Sequence, residues 1–220
     1  MTIKVVIFDF DGVLADTLDD ILNFGEIVSN KLGFPVTPTM DDLNDLDQMS
    51  FADFARQLGL PEEKIESFVQ GNFALFNERE APPRLFPGME DVIKQISTSC
   101  RIGIVTGNSS DTVCRFLSYY GIEKHIAIVM GADSPGTRLE KVRRVMKELN
   151  AKAGDTFIIG DAVSDIHTAR EAGVSSIAVG WGHQKPEKLL AEKPDYFAKT
   201  MQDLLAILTC SSNDDELQNG

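Results

Sequence analysis

Five short apolar runs punctuate the chain. Residues 3–9 (IKVVIFD) are almost continuously apolar and close on Asp9; similar runs recur at 102–106, 126–130, 156–160 and 176–179. Each is short, rich in β-branched residues and flanked by glycine or polar residues, the pattern of strands buried on both faces. Helical spacing follows the second, third and fourth runs, at 111–120, 139–149 and 164–172. Gly121 and Gly173 stand where helix C-terminal caps belong. Strand–helix alternation of this kind predicts an α/β fold, a Rossmann-like doubly wound parallel sheet with right-handed crossovers.

The stretch 16–83 breaks that rhythm. It carries helical patterns at 18–32, 51–58 and 62–76 and no convincing strand. Pro35 and Pro38 separate the first pattern from the second, Pro61 opens the third, and Ala81-Pro82-Pro83 forms a stiff exit. The simplest organisation is a discontinuous catalytic core of residues 1–15 and 84–210, with an inserted all-helical cap at 16–83. Past Gly180 the pattern offers one more helix, 201–208, and then a polar tail, 211–220, of the composition that stays disordered.

Composition narrows the function classes. At 220 residues and 43% hydrophobic, the chain can bury a full core. Its net charge of −13 comes with no basic stripe, so a nucleic-acid partner is not expected. No apolar run is long enough to span a bilayer, and no cationic leader precedes the first strand, so neither a membrane nor a secretory route is expected. Three cysteines (Cys100, Cys114 and Cys210) at unmotivated spacing suit a reducing, cytoplasmic setting and no zinc site.

The chemistry-bearing residues gather where the apolar runs end. In open α/β sheets, ligands bind beyond the carboxyl ends of the strands. Asp9, Thr106 and Asp161 all stand there. Asp9 is a candidate nucleophile, since a carboxylate can attack phosphorus and divide one hard step into two. Asp11, two residues on, can protonate the leaving oxygen and then deprotonate the attacking water. Gly12 lets backbone amides approach a phosphate closely. Thr106 offers a hydroxyl to a phosphate oxygen, with Gly107 and Asn108 adding donors at a helix start. Asp161 and Asp165, four apart, complete a hard-cation site for Mg²⁺, with Asp9, the backbone carbonyl of Asp11 and Asp161 as direct ligands and Asp165 acting through water. Without a cation such carboxylates repel one another and their pKa values rise. A further positive group must face the transferred phosphoryl oxygens, and Arg138 and Lys141 compete for that role.

With these motifs in order, the chain resembles the haloacid dehalogenase-like hydrolases, in particular their phosphoglycolate phosphatase-like branch. The resemblance rests on DFDGVLADT, IVTGNSS, SPGTRLEKV and GDAVSD, and extends to Trp181-Gly182 and Pro194-Asp195-Tyr196. It implies a Rossmann-like core with a helical cap inserted after the first motif. It also implies Asp9 as nucleophile, Asp11 as acid/base, Thr106 as phosphate ligand, and Mg²⁺ held by Asp9, Asp11 and Asp161. The third motif departs: where relatives carry a lysine after serine, this chain has Arg138, with Lys141 on the first turn of the following helix, so Arg138 is preferred.

The expected activity is Mg²⁺-dependent hydrolysis of a small phosphorylated metabolite, phosphoglycolate-like, by a monomer or homodimer. Asp11 argues against carbon–halogen chemistry, because dehalogenating relatives lack it. A mutase of the β-phosphoglucomutase type would offer a His or Lys soon after the first motif, where this chain reads LDDILNFGEIVSN. A pyrophosphatase stays open, and a non-catalytic protein would be expected to lose Asp9 or Asp161. Within the helical stretch the cations are Lys31, Arg56, Lys64 and Arg79; Arg56 is a weak candidate for facing the site, a surface role being preferred. His183 is expected to be a solvated loop residue.

Overall fold

The computed structural model describes residues 4–46 and 48–210. Strand β1 (Lys4–Phe8) leads through β2 (Ala15–Asp16) into helices α1 (Leu18–Lys31), α2 (Met40–Asn44), α3 (Phe51–Gln57) and α4 (Glu62–Glu78). The chain returns by β3 (Arg84–Leu85) and α5 (Met89–Ile96). It then alternates: β4 (Cys100–Val105), α6 (Ser110–Tyr119), β5 (Ile126–Met130), α7 (Arg138–Glu148), β6 (Thr156–Gly160), α8 (Val163–Ala172) and β7 (Ser175–Val179). Helix α9 (Pro186–Ala191), strand β8 (Tyr196–Ala198) and helix α10 (Met201–Cys210) complete the described chain.

Six strands form one parallel sheet in the order β5-β4-β1-β6-β7-β8. The sheet is the doubly wound one that the strand–helix alternation predicts. β1 lies at the centre, with the next core strand in sequence on one side and β6 on the other. This reversal is the switch point at which open α/β sheets bind ligands.

Side-chain alternation along β1 divides the core. Val6 and Phe8 face one layer, packed with Met89 and Ile93 of α5, Val113 and Phe116 of α6, and Leu204 of α10. Val5 and Ile7 face the other, against Val142 and Val145 of α7 and Ala169 of α8. Burying each such large apolar side chain contributes about 1.5–3 kcal/mol. That two-sided burial is why the run in β1 is continuously apolar rather than alternating.

Helices α1 to α4 build a separate apolar cluster around Ile21, Val28, Phe54, Ile65, Phe68 and Phe76. Edge-to-face rings reinforce it, Phe24 on Phe76 at 4.9 Å and Phe54 on Phe68 at 6.0 Å. At its base β2 and β3 pair antiparallel, Ala15 with Leu85 and Asp16 with Arg84. This two-residue ladder has no local signature, because it exists only when positions about 70 apart meet.

Two elements correct the expectation of a single helix beyond Gly180, and a helix, α5, fills the stretch before β4 to which no element is assigned above. Helix α9 starts with Pro186 at its first position, and β8 adds the sixth strand beside β7. In α5, Met89, Val92, Ile93 and Ile96 are all buried, an i, i+3, i+4, i+7 spacing present in the sequence. Helix α2 is five residues long and is held by a capping box between Thr39 and Asp42. The polar tail at 211–220 lies outside the described residues. Among the described residues no helix is long and apolar enough to cross a membrane.

Candidate active site

Strand register sets the site. Phe8 pairs with Ile104 on one side and with Ile159 on the other. Asp9 therefore emerges from the middle of the sheet, flanked by Thr106 after β4 and Asp161 after β6. The backbone N–H of Asp9 donates to the Ile159 carbonyl at 2.9 Å, and that of Thr106 to the Met130 carbonyl at 3.0 Å. Both side chains thus stand on backbone fixed by the sheet.

Asp9, Asp161 and Asp165 are all buried, and each offers a carboxylate oxygen within 4.8 Å of the others. Asp161 is 1% exposed. Burial, followed by the charge of Asp9, pushes its pKa up to about 7. Burial also raises Asp165, against the pull of Arg138. Asp165 has two duties: its Oδ2 accepts the Ala162 N–H at 3.2 Å, capping α8, while its Oδ1 accepts from Arg138. Arg138, the first residue of α7, also reaches Asp9 Oδ2 at 3.0 Å. One guanidinium therefore spans two of the three carboxylates.

Asp11 lies outside that trio. Its Oδ2 accepts from the Asn108 amide at 3.4 Å, and its Oδ1 is buried with no hydrogen-bond partner. Burial, then the neighbouring Asp9 charge, raises its pKa to about 6. Gly12 adopts φ +73°, and a Cβ there would stand 2.0 Å from Asp161 Oδ2. No other residue fits between the first motif and the fourth. Thr106 Oγ1 accepts the Asn108 N–H at 3.0 Å, and Asn108 Oδ1 accepts the Ser109 N–H at 2.9 Å. Helix α6 is capped by Ser109, not by Gly107 or Asn108. Those two residues instead form the turn that faces the site.

Arg138 and Lys141 have different destinations. Arg138 lines the site cavity; Lys141 does not, and its Nζ donates to the Gly131 carbonyl at 2.6 Å. A buried lysine satisfied by backbone ties α7 to the end of β5. Arg56 is half-exposed and paired with Asp53 and Glu62 at 3.0 and 2.9 Å. It contributes nothing to the cavity.

His183 corrects the expectation of a solvated loop residue. It is 3% exposed, because the loop after β7 folds back over Asp161. Its backbone N–H donates to Asp161 Oδ2 at 2.7 Å, its Nδ1 lies 3.4 Å from the same oxygen, and its Nε2 lies 3.4 Å from Thr17 Oγ1. Burial lowers its pKa. Gly182 beside it permits the approach, since a Cβ there would meet Asp161 Cβ at 2.2 Å. The sequence signal was the Gly-Trp-Gly run, whose two glycines mark a close backbone approach. Next to it, Gln184 bridges the two parts of the molecule: its Oε1 accepts the Val163 N–H at 2.8 Å and its Nε2 donates to the Leu46 carbonyl at 2.5 Å.

Above these groups lies a cavity of about 220 Å³. Its floor is Asp9, Asp11, Thr106, Asn108, Arg138 and Asp161, and its roof is apolar, from Leu43, Leu46, Phe51, Phe54, Val69 and Phe73.

A doubly wound sheet with clustered aspartates and a basic residue at its switch point defines a class of hydrolases, and the family model confirms it. The chain belongs to the haloacid dehalogenase-like hydrolases, whose model matches residues 6–179. It is 29% identical over 212 residues to a phosphoglycolate phosphatase of Synechococcus elongatus, covering 94% of this chain and 97% of that one. It is 24% identical to a pyrophosphatase of Listeria monocytogenes, over 94% of this chain and 96% of that one. Among solved structures, a haloacid dehalogenase-like family hydrolase from Streptococcus pneumoniae superposes with a TM-score of 0.80 at 24% identity, covering 93% of this chain and 98% of that one.

Proposed function

We propose that the chain is a Mg²⁺-dependent phosphatase that hydrolyses a small phosphate monoester through an aspartyl-phosphate on Asp9, with helices α1 to α4 acting as a cap. The observation that carries this reading is the pair of carboxyls at the end of β1: Asp9, buried against Arg138, and Asp11, half-buried with one oxygen that is itself buried and without a hydrogen-bond partner. Its chemistry is a nucleophile beside a group that exchanges a proton.

Asp9 attacks phosphorus as the P–O bond to the alcohol breaks. Asp11, its pKa raised to about 6, gives its proton to the departing alkoxide. Water then attacks the phosphorus of the aspartyl-phosphate, Asp11 takes the proton, and the bond to Asp9 breaks. One alcohol and one inorganic phosphate leave for each ester and water consumed. Arg138 and the Thr106 hydroxyl are suited to the phosphoryl oxygens, where charge accumulates in the transition state.

The donor set fits a hard cation. Asp9, Asp161 and Asp165 crowd oxygen ligands together in a buried place with one guanidinium against three carboxyls, a charge imbalance that a divalent ion corrects. Asp9, the Asp11 carbonyl and Asp161 would hold Mg²⁺, with Asp165 through water. When bound, the ion neutralises phosphoryl charge. Free thiols at Cys100 and Cys114 support work in a reducing compartment such as the cytoplasm.

The test is phosphate release from a panel of phosphomonoesters by purified protein. Release should stop with EDTA, return with Mg²⁺, and vanish in Asp9→Asn while the circular dichroism spectrum is kept. Full activity in that variant, or in EDTA, refutes the mechanism.

A further inference from the structure

The two relatives' names indicate substrates with a second negative charge beyond the scissile phosphate. Among the described residues the roof of this cavity offers no cation to receive one, and its Ser50 hydroxyl is engaged by Asp53. Between residues 16 and 83 the cations are Lys31, Arg56, Lys64 and Arg79, all four described, and none lines the cavity. Arg56 is spent on Asp53 and Glu62. Arg79 holds Asp20 at 2.7 Å, with its guanidinium 5.9 Å from the ring centres of Phe24 and Phe76. Lys31 is exposed at the end of α1, and Lys64 lies in the first turn of α4. The one Lys or Arg among the described lining residues is Arg138, already engaged by Asp9 and Asp165.

A carboxylate or second phosphate entering this space would lose water and gain no counter-charge. Burying a charge without a partner is strongly unfavourable. An apolar group loses nothing and covers Phe51, Phe54 and Phe73. Phe73 packs edge-to-face on Phe51 at 5.3 Å, so the aromatic wall is preformed. The space suits the scale: about 220 Å³ is many times the ~10–15 Å³ that admits a single water, enough for a phosphate and a ring-sized substituent.

Resting on the phosphatase reading above, we infer that the preferred substrate is the phosphate monoester of an uncharged, apolar alcohol of about ring size, selected by Leu43, Phe51, Phe54, Val69 and Phe73. Phosphoglycolate and pyrophosphate are then poor substrates.

The test compares benzyl phosphate, 4-carboxybenzyl phosphate and phosphoglycolate with the full chain and Mg²⁺. The first two share a leaving group and differ in one remote carboxylate. We expect kcat/KM for benzyl phosphate to exceed both others at least tenfold. Equal or reversed preference overturns the inference while leaving the phosphatase reading intact. No phosphate release from any ester, benzyl phosphate included, overturns the phosphatase reading itself and this inference with it. Val69→Lys, at a half-buried position on the roof, should reduce the benzyl preference at least tenfold. If that variant does not fold, Phe73→Leu should raise KM for benzyl phosphate several-fold and leave 4-carboxybenzyl phosphate nearly unchanged. An unchanged preference in the folded variant also overturns the inference.

Discussion

The floor and roof of the cavity are built on opposite principles. The floor takes one polar group from each of several elements, Asp9 after β1, Thr106 after β4, Asp161 after β6 and Arg138 from α7. The backbone or side chain of each is tied down by the sheet or by a charged partner. The roof is taken from helices that pack on one another through their own apolar cluster, and it offers surface without charge. Rigid polar groups accelerate a reaction because they need no reorganisation when charge develops. An apolar helical wall can change its side chains without disturbing them. On the proposed reading, reaction type and substrate choice therefore sit on separate parts of the chain.

The largest effect that can test this division is at Asp11. Asp11→Asn should lower kcat for esters of poor leaving groups by about a hundred- to ten-thousand-fold, as expected for loss of a positioned acid/base. An aryl phosphate, whose leaving group needs little protonation, should lose less in the first step. Equal losses for alkyl and aryl esters in single-turnover measurements would assign Asp11 a structural role instead.

The two basic residues of α7 give a sharper contrast. Arg138→Ala should cost about a hundredfold in kcat, the scale for losing one preorganised partner of transition-state charge. Lys141→Met should leave kcat within about threefold. It should lower stability instead, by about 1–3 kcal/mol in urea unfolding, because the Gly131 carbonyl then loses its donor. The opposite pattern would mean that Lys141, and not Arg138, faces the phosphate.

The seam between the parts is Gln184, whose amide joins Val163 on the floor side to Leu46 on the roof side. Gln184→Ala should raise KM by about tenfold and change kcat little, since it loosens the roof without touching the floor. A loss confined to kcat would show that this contact positions the catalytic groups.

Much of the floor was legible because each of its parts has a local signature. A buried strand ending in Asp-x-Asp-Gly reads the same wherever the chain later goes, and so does a strand ending in Gly-Asp. Continuous apolar runs signalled two-sided burial, and the parallel sheet followed. What was not legible depends on distant partners. β2 and β3 are two residues each and exist only through one another. β8 is a three-residue edge strand beside β7. For His183 the adjoining Gly-Trp-Gly run marks a close backbone approach but not its target; the burial comes from the chain folding back onto Asp161, far away in sequence. Arg138 and Lys141 are both on α7, and only the direction of each side chain distinguishes them.

The smallest expected effect is in stability, and it separates floor from roof by titration. In the folded, metal-free chain Asp11 and Asp161 keep protons up to about 6 and about 7, whereas unfolded aspartates lose theirs near 3.9. The folded state thus binds more protons between about 4 and 7, so stability rises as pH falls through 7 and is lost as pH rises through it, levelling off above. His183 opposes this below about 6.5, because burial lowers its pKa and the unfolded chain takes up a proton that the folded chain refuses. The clean window is therefore between pH 8 and 6.5. In EDTA, Tm should rise by a few degrees as pH is lowered across that window. In saturating Mg²⁺ the trend should flatten or reverse, because the ion and the protons compete for the same carboxylates. The roof lines the cavity with no carboxylate among its described residues, so Val69→Ala should leave the slope unchanged while Asp161→Asn reduces it. A Tm that is flat with pH in EDTA would mean that the floor carboxylates titrate normally and that a cation is not needed to hold them together.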